Sequence, residues 1–311
     1  MAPRSRYPAD RGLTGHMLLT VFLLGLLYAI VIAALVLAKI NLAFILVIGF
    51  GILFVQYYFS DKIALYSMGG RIVSREQQPQ LHAIIDRLVA MADMPKPLVA
   101  IAQTDIPNAF ATGRDRKHAV VCVTTGLLRR LNEPEVEAVL SHELSHVAHR
   151  DVAVMTIASF LGIIAGLMTR MFMFMGFFGG GSNRGRGGGS AGGQIALIEL
   201  TGLLASAILY AISFILIRAL SRYRELAADR SGAILIGQPA LLAQALVKVS
   251  GEMSRIPSRD LRAAEHFNAF YFAPALAPGM SLSSLFSTHP PLQKRLDQLA
   301  KLDAQMRRDP A

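Results

Sequence analysis

The sequence predicts a mainly α, integral membrane chain: four transmembrane helices plus an α+β cytoplasmic domain with a small sheet. Composition comes first. Apolar residues make up 53% of the 311 residues and charged residues 17%, at a mean hydropathy of +0.44, so an ordinary soluble surface would be hard to build. Second, four apolar runs stand out, at 17–38, 42–59, 152–169 and 195–217. Third, the stretches outside those runs carry helix-period patterns and short β-rich segments.

Residues 1–16 hold Arg4, Arg6 and Arg11, and a basic N-terminus stays in the cytoplasm. Run 17–38 is charge-free and has roughly the ~20 residues a membrane helix needs. It is too long for a signal-peptide core and reads as a retained signal anchor. Lys39 and Asn41 leave room only for a tight turn, so 17–59 is a transmembrane hairpin and the chain is cytoplasmic again at Ser60. Runs 152–169 and 195–217 make a second hairpin, 152–217, with the tract GGGSNRGRGGGSAGG at 179–193 as its flexible outer loop. An RNA-binding reading of that tract fails for want of interleaved aromatics. Arg218, Arg222 and Arg224 fit a cytoplasmic return, whereas Arg170, Arg184 and Arg186 face outward against the rule. Arg170 and Glu199 are expected to meet at one depth as an intramembrane pair. The net charge of +10 is thereby assigned to membrane orientation, with no nucleic acid partner. The one cysteine, Cys122, excludes an intrachain disulfide framework and reads as a small core residue.

The polar parts are 60–151 and 218–311. Residues 80–91 carry Leu81, Ile84, Ile85, Leu88 and Val89 at helical spacing, with Pro79 suited to the first turn. Residues 98–102 and 119–123 read as strands, with a third at 108–113. From Glu133, EPEVEAVLSHELSHVAH reads as one helix with acidic residues in its first turn and Val136, Val139, Leu140, Leu144 and Val147 on its buried face. Nothing in it breaks the helix before Asp151, so it is expected to run straight into the third apolar run. Residues 292–306 form an amphipathic packing helix.

The chemistry sits in that central helix. His142, Glu143 and His146 form HExxH, and residues four apart on a helix lie one above the other, so both imidazoles reach one cation with Glu143 beside the open position. His149 lies roughly 10 Å along the axis from His142, too far to share the ion. A third ligand must come from elsewhere, and Glu225 in RALSRYRELAADRSG supplies it: catalytic zinc sites commonly use three protein ligands and a water. Asp229, four residues on, suits the free N–H of a ligand imidazole. Alone, this segment would read as a surface helix of ordinary charge pairs; only its combination with HExxH makes it a ligand helix.

AVLSHELSHVAHRD, RELAADR around Glu225 and STHPPLQKRL from Ser287 together resemble the HtpX family of membrane zinc metalloproteases, in the same clan as the CAAX prenyl endopeptidase. PNAFATG at 107–113 resembles that family's segment beside the cleft. The resemblance covers nearly the whole chain. It implies a zincin-like cytoplasmic protease domain in two parts, 60–151 and 218–311, in a multi-pass protein of the bacterial inner membrane. It further implies one Zn2+ per chain and, as substrates, damaged or misassembled membrane proteins or unfolded polypeptides. Prenyl-protein processing is not carried over, since that enzyme has more spans. The glycine-rich tract departs from the family pattern.

Glu143 is expected to take the proton of the attacking water and return it to the leaving amine. Asn108, Ala109, Phe110 and Ala111 are expected either to hold an extended peptide on an exposed edge strand or to form an ordinary buried strand. His289 either helps stabilise the oxyanion or simply precedes a helix started by Pro290 and Pro291, and Arg295 pairs with a carboxylate or helix end rather than substrate. A transporter would carry its ionisable groups inside the spans, where only Arg170 and Glu199 lie. A non-catalytic scaffold or pseudoprotease would have little physical reason to keep Glu143 with all the ligands. The sequence sets neither a cleavage preference nor an oligomeric state.

Overall fold

The computed structural model describes residues 11–37, 57–151, 190–253 and 289–308 continuously, with scattered residues between 47 and 55 and between 154 and 170. The expectations for residues 1–10, most of the second apolar run and tract positions 179–189 lie outside the described residues. Two compact units emerge, one drawn from Met1–Leu18, Phe54–Val154 and Arg218–Ala311, the other from Leu19–Leu53 and Met155–Ile217.

The first unit contains a four-stranded mixed sheet and the helices that cover it. After α2 (Ser60–Ser67) come β1 (Gly70–Ile72), α3 (Pro79–Ala92), β2 (Leu98–Ala102), β3 (Ala109–Thr112), a 3-10 turn at Arg116–His118, β4 (Val120–Thr124) and α4 (Thr125–Arg130). The strand order is β1-β2-β4-β3; β2 and β4 are parallel, and the outer pairs are antiparallel. β4 is central and buried at every position, which explains its continuous Val-Val-Cys-Val run. The sequence reading found β2, β3 and β4 within a residue or two and passed over β1, a three-residue edge with a polar burial pattern. Helix α5 (Glu133–Ala148) packs on α3, β3 and α7 (Pro239–Met253), and α8 (Leu292–Arg308) packs on α7. Leu81, Ile85, Leu88, Leu140, Leu144, Leu242, Leu246 and Leu299 close one apolar core around α5.

Both ends of α5 are fixed by polar contacts. At its start a capping box has the Asn132 side chain accepting from the Glu135 N–H at 2.9 Å while Glu135 accepts from the Asn132 N–H at 2.8 Å. At its end the helix stops at Ala148 instead of continuing toward the third apolar run. Arg150 adopts a left-handed conformation with φ of 57°, and its N–H reaches back to Val147. An L residue in that region costs about 1 kcal/mol, which the contacts of Asp151 described below offset. Arg116 donates to the Ala148 carbonyl through Nε and Nη2, at 3.2 and 2.5 Å, satisfying one of the carbonyls that a helix end leaves open.

α1 (Arg11–Leu37) and α6 (Ser190–Ile236) are the long helices. Among the described residues Leu200–Ile236 within α6 is long and apolar enough to cross a membrane, and Gly15–Ile30 is a shorter apolar stretch. The apolar part of α6 ends at Ile217; from Arg218 the helix is charged and belongs to the first unit. Leu200, Leu204, Ile208, Ile212 and Ile215 are exposed, as an apolar solvent allows and water does not. In the second unit the helical residues of the third run pack on α6 through small side chains. Thr169 Oγ1 lies 3.0 Å from Ser206 Oγ, Gly166 faces Tyr210, and Gly162 faces Ser213 and Ile217, an antiparallel register. It brings Arg170 level with about Ala205. The expected pairing of Arg170 with Glu199 falls on a side chain outside the described residues.

Glu135 is nearly buried. Burial disfavours its charge, but Lys248 at 2.9 Å and the Asn132 N–H overcome this and hold its carboxyl below its ordinary value. Glu135→Gln is therefore expected to lower the stability of α5 by about 0.5–2 kcal/mol at neutral pH, read by thermal unfolding in detergent. The contribution is complete above the ordinary Glu value of about 4.3 and disappears as pH falls through the lower folded value, so wild type and variant should converge in acid.

Candidate metal centre

α5 and the charged half of α6 cross at their backbones. A Cβ on Gly232 would lie 2.8 Å from the His142 N and 2.9 Å from its Cα, so glycine alone permits the approach. One helical turn or two earlier, Asp229 and Glu225 then lie over His142 and His146. His142 Nε2 and His146 Nε2 are 3.2 Å apart, His146 Nε2 and Glu225 Oε1 3.4 Å, and His142 Nε2 and Glu225 Oε2 3.7 Å. The two Glu225 distances run to different carboxylate oxygens; taking one donor atom from each residue, the three lie within 4.8 Å of one another, close enough to share one small cation. Among the described residues this is the one His/Cys/Asp/Glu group spaced to hold a metal.

Each donor is backed by a second polar group. His142 Nδ1 lies 3.0 Å from Asp229 Oδ1, and Asp229 takes a two-pronged contact from Arg295 at 2.7 and 2.6 Å. His146 Nδ1 lies 2.5 Å from Asp151 Oδ2, which Arg224 Nη2 holds at 2.6 Å. Glu225 Oε2 lies 2.9 Å from His289 Nδ1. Asp229, expected beside an imidazole, lies next to His142, and Arg295 lies on a carboxylate. The sequence reading missed Asp151 and Arg224. Asp151 is five residues past His146, off the helical i+4 position, and reaches it only because the chain turns at Arg150.

The cluster is buried and its charges are uneven. Glu143, Asp151, Glu225 and Asp229 are at most 8% exposed, and the guanidiniums among them are Arg224 and Arg295. The buried carboxyl groups outnumber the guanidiniums four to two, an acidic composition that suits a bound cation. Burial lowers the His142 pKa against the pull of Asp229, which favours the neutral, metal-binding imidazole. Burial also opposes ionisation of Glu225 and Asp229. The charge of His289 with the hydrogen bonds of His146 overcomes it at Glu225, held well below the carboxylate range, and Arg295 overcomes it at Asp229. Glu143 has no such partner. Burial pushes it up to about 8, against the opposing effects of His146 and the Ala111 N–H, which donates to Oε2 at 3.0 Å.

β3 is an edge strand alongside α5, and its residues divide by alternation. The Asn108 C=O accepts from the Thr124 N–H and its own N–H donates to Thr124 Oγ1, so Asn108, Phe110 and Thr112 face β4. The outward main-chain groups belong to Ala109 and Ala111. Asn108, Ala109 and Phe110, expected either to hold a peptide or to form an ordinary buried strand, are 0%, 1% and 2% exposed. His149 turns away from the donors, with Nε2 3.5 Å from Ser231 Oγ, and burial pushes it down to about 4.

Residues 75–303 match Peptidase family M48. The chain belongs to that family. Protease HtpX homolog 1 of Streptomyces coelicolor is 53% identical over 308 residues, covering 99% of this chain and 98% of the relative. Protease HtpX homolog of Moorella thermoacetica is 51% identical over 304 residues, covering 97% and 98%. Protease HtpX homolog 2 of Methanosarcina mazei is 48% identical, covering 97% and 99%. The crystal structure of S. mikatae Ste24p has a similar fold, with a TM-score of 0.52 at 17% identity over 93% of this chain and 67% of that one. This M48 member is a membrane metalloprotease, and its apolar helix and His/Glu cluster agree with that.

Gly232→Ala is expected to force α6 off α5 and loosen the donor triangle. Chelator competition should show metal affinity falling by about ten-fold or more, the scale on which positioning errors act, while far-UV circular dichroism stays unchanged.

Proposed function

We propose that the chain is a multi-pass, zinc-dependent endopeptidase of a bacterial inner membrane. Its site faces the cytoplasm and hydrolyses peptide bonds of damaged or misassembled membrane proteins. The buried cluster of His142, His146 and Glu225, with Glu143 beside it, carries this reading. In it His142, His146 and Glu225 hold one zinc per chain, Asp229 and Asp151 orient the imidazoles, and His289 orients Glu225. Zinc, when bound, supplies the Lewis acidity that polarises the scissile carbonyl and acidifies water.

The chain's own residues do the rest. Glu143 takes the proton of the attacking water and delivers it to the leaving amine, so no acyl-enzyme forms. The Ala111 N–H fixes one oxygen of its carboxylate, and the charge of a nearby cation draws its raised pKa back toward the ionised base. An extended substrate lies along β3, held by main-chain groups of Ala109 and Ala111, a mode that tolerates many sequences. Such tolerance suits quality control under stress.

The membrane arrangement in this reading is a cytoplasmic N-terminus at 1–16, a hairpin at 17–59, a first protease part at 60–151, a second hairpin at 152–217 and a second protease part at 218–311. Four spans result, with the glycine-rich loop 179–193 outside. The antiparallel seam from Gly162 and Gly166 to Ser213 and Tyr210 supports the second hairpin. The basic N-terminus supports the orientation.

Two experiments test the proposal. Glu143→Gln should keep bound zinc and lose cleavage of an unfolded membrane protein by about 10²–10⁴-fold, while His142→Ala should lose both; equal cleavage by wild type and both variants removes the mechanism. A cysteine introduced in the glycine-rich loop should react with an impermeant thiol reagent from outside intact cells. Reaction only after lysis would mean that runs 152–169 and 195–217 do not cross.

A further inference from the structure

The edge strand beside Glu143 is fastened at its far end to the residues that close the second apolar run. Tyr57 Oη donates to the Arg114 carbonyl at 2.7 Å, and the Arg114 guanidinium lies 4.6 Å from the centre of the Tyr58 ring. Gly113 joins β3 to Arg114 with a φ of 138°, and a Cβ there would lie 2.4 Å from the His118 carbonyl oxygen, so the chain has one path. Two residues past Arg114, Arg116 holds the Ala148 carbonyl at the end of α5. The strap 113–118 therefore ties Tyr57 and Tyr58 both to the edge strand and to the helix that carries HExxH.

Those tyrosines belong to an aromatic group with a cation beside it. Phe54, Tyr58 and Phe59 are exposed, the Phe54 and Tyr58 rings are stacked at 5.4 Å, and Lys62 Nζ lies 5.7 Å from the centre of the Phe59 ring. Aromatic rings and a lysine directly after a long apolar run are the residues that settle at the headgroup layer. Tyr57 and Tyr58 thus mark the height of that layer on the protein. From Arg114 back to Ala111, whose N–H meets Glu143, is three residues of chain, which span at most about 10 Å.

We infer that the strap sets the distance between the cutting site and the bilayer, so that the protein cleaves membrane-anchored chains a short, fixed length from their own span. A reach of at most about 10 Å corresponds to roughly three extended residues. The substrate class is a polypeptide segment emerging directly from a membrane helix, and bonds further out are cut poorly. This rests on the proposed endopeptidase activity and topology. It adds a rule of position where the edge strand imposes little rule of sequence.

The test uses the full-length, zinc-loaded protein in lipid nanodiscs. One substrate is a single apolar span followed by a row of identical short unstructured repeats, so that only position differs between bonds; the other is the same repeats without the span. Cut positions are read by mass spectrometry. Cuts should concentrate in the repeats nearest the span and fall about ten-fold or more further out, because tethering raises the local concentration of only those bonds that can reach the site. Arg114→Ala should spread the cuts outward while the rate on the free repeats stays within about two-fold of wild type; Tyr57→Phe, which removes only the hydroxyl, is the milder variant if Arg114→Ala does not fold. Cuts spread evenly along the tethered row overturn the inference, as does a narrow window unchanged in a folded strap variant. Absence of cutting in either substrate overturns the endopeptidase reading and this inference with it.

Discussion

The structure depends on placing four buried carboxylates beside two buried guanidiniums without leaving any charge unanswered. Desolvating a single ion costs several kcal/mol, and only close partners with complete hydrogen bonding recover it. The protein meets this with two parallel relays, Arg295 to Asp229 to His142 and Arg224 to Asp151 to His146, and with His289 against Glu225. Each relay fixes an imidazole through its Nδ1 and leaves the Nε2 atoms facing Glu225. Glu143 remains as the carboxylate whose ionisation is held back by burial, consistent with an excess of negative charge that a divalent cation would remove. Metal binding and stability of this region are therefore linked, since the cation completes the charge pairing of the core.

Helix geometry makes the relays possible. Gly232 lets α6 approach the α5 backbone, and the capping box of Asn132 and Glu135 with the turn at Arg150 fix both ends of α5. The left-handed turn belongs to the site as much as to the fold. It interrupts the helix between His146 and Asp151, whose side chains meet at 2.5 Å. On the other side of α5, β3 offers Ala109 and Ala111 outward and turns Asn108 and Phe110 inward, so the candidate substrate strand and the candidate base meet at one N–H.

The membrane-facing parts follow a different rule. Around the site, polar groups are paired in depth; along α6 before Arg218, apolar side chains are exposed and the packed seam consists of Gly162, Gly166, Thr169 and Ser206. Such a surface is stable only in an apolar solvent, and small residues provide close contact where no hydrophobic effect drives association. The charged helix that supplies Glu225 and Asp229 is the continuation of that apolar one, so a single α6 meets both solvents.

The sequence by itself determined what local periodicity can encode. Two histidines four apart define a common face on α5, Glu225 and Asp229 do the same on α6, and the apolar runs declare their solvent. The bounds of α3 and α8, within two residues, and three of the four strands were legible for the same reason, since each depends on neighbours within a few residues. Only the tertiary structure decided which carboxylate serves which imidazole, that α5 ends at Ala148, and that Gly232 is a contact point. Those outcomes depend on the packing of segments some 80 residues apart, such as Gly232 on His142 and Ser231 beside His149. Spacing along the chain carries no record of that distance, because the energy that selects it comes from burial and charge pairing across helices.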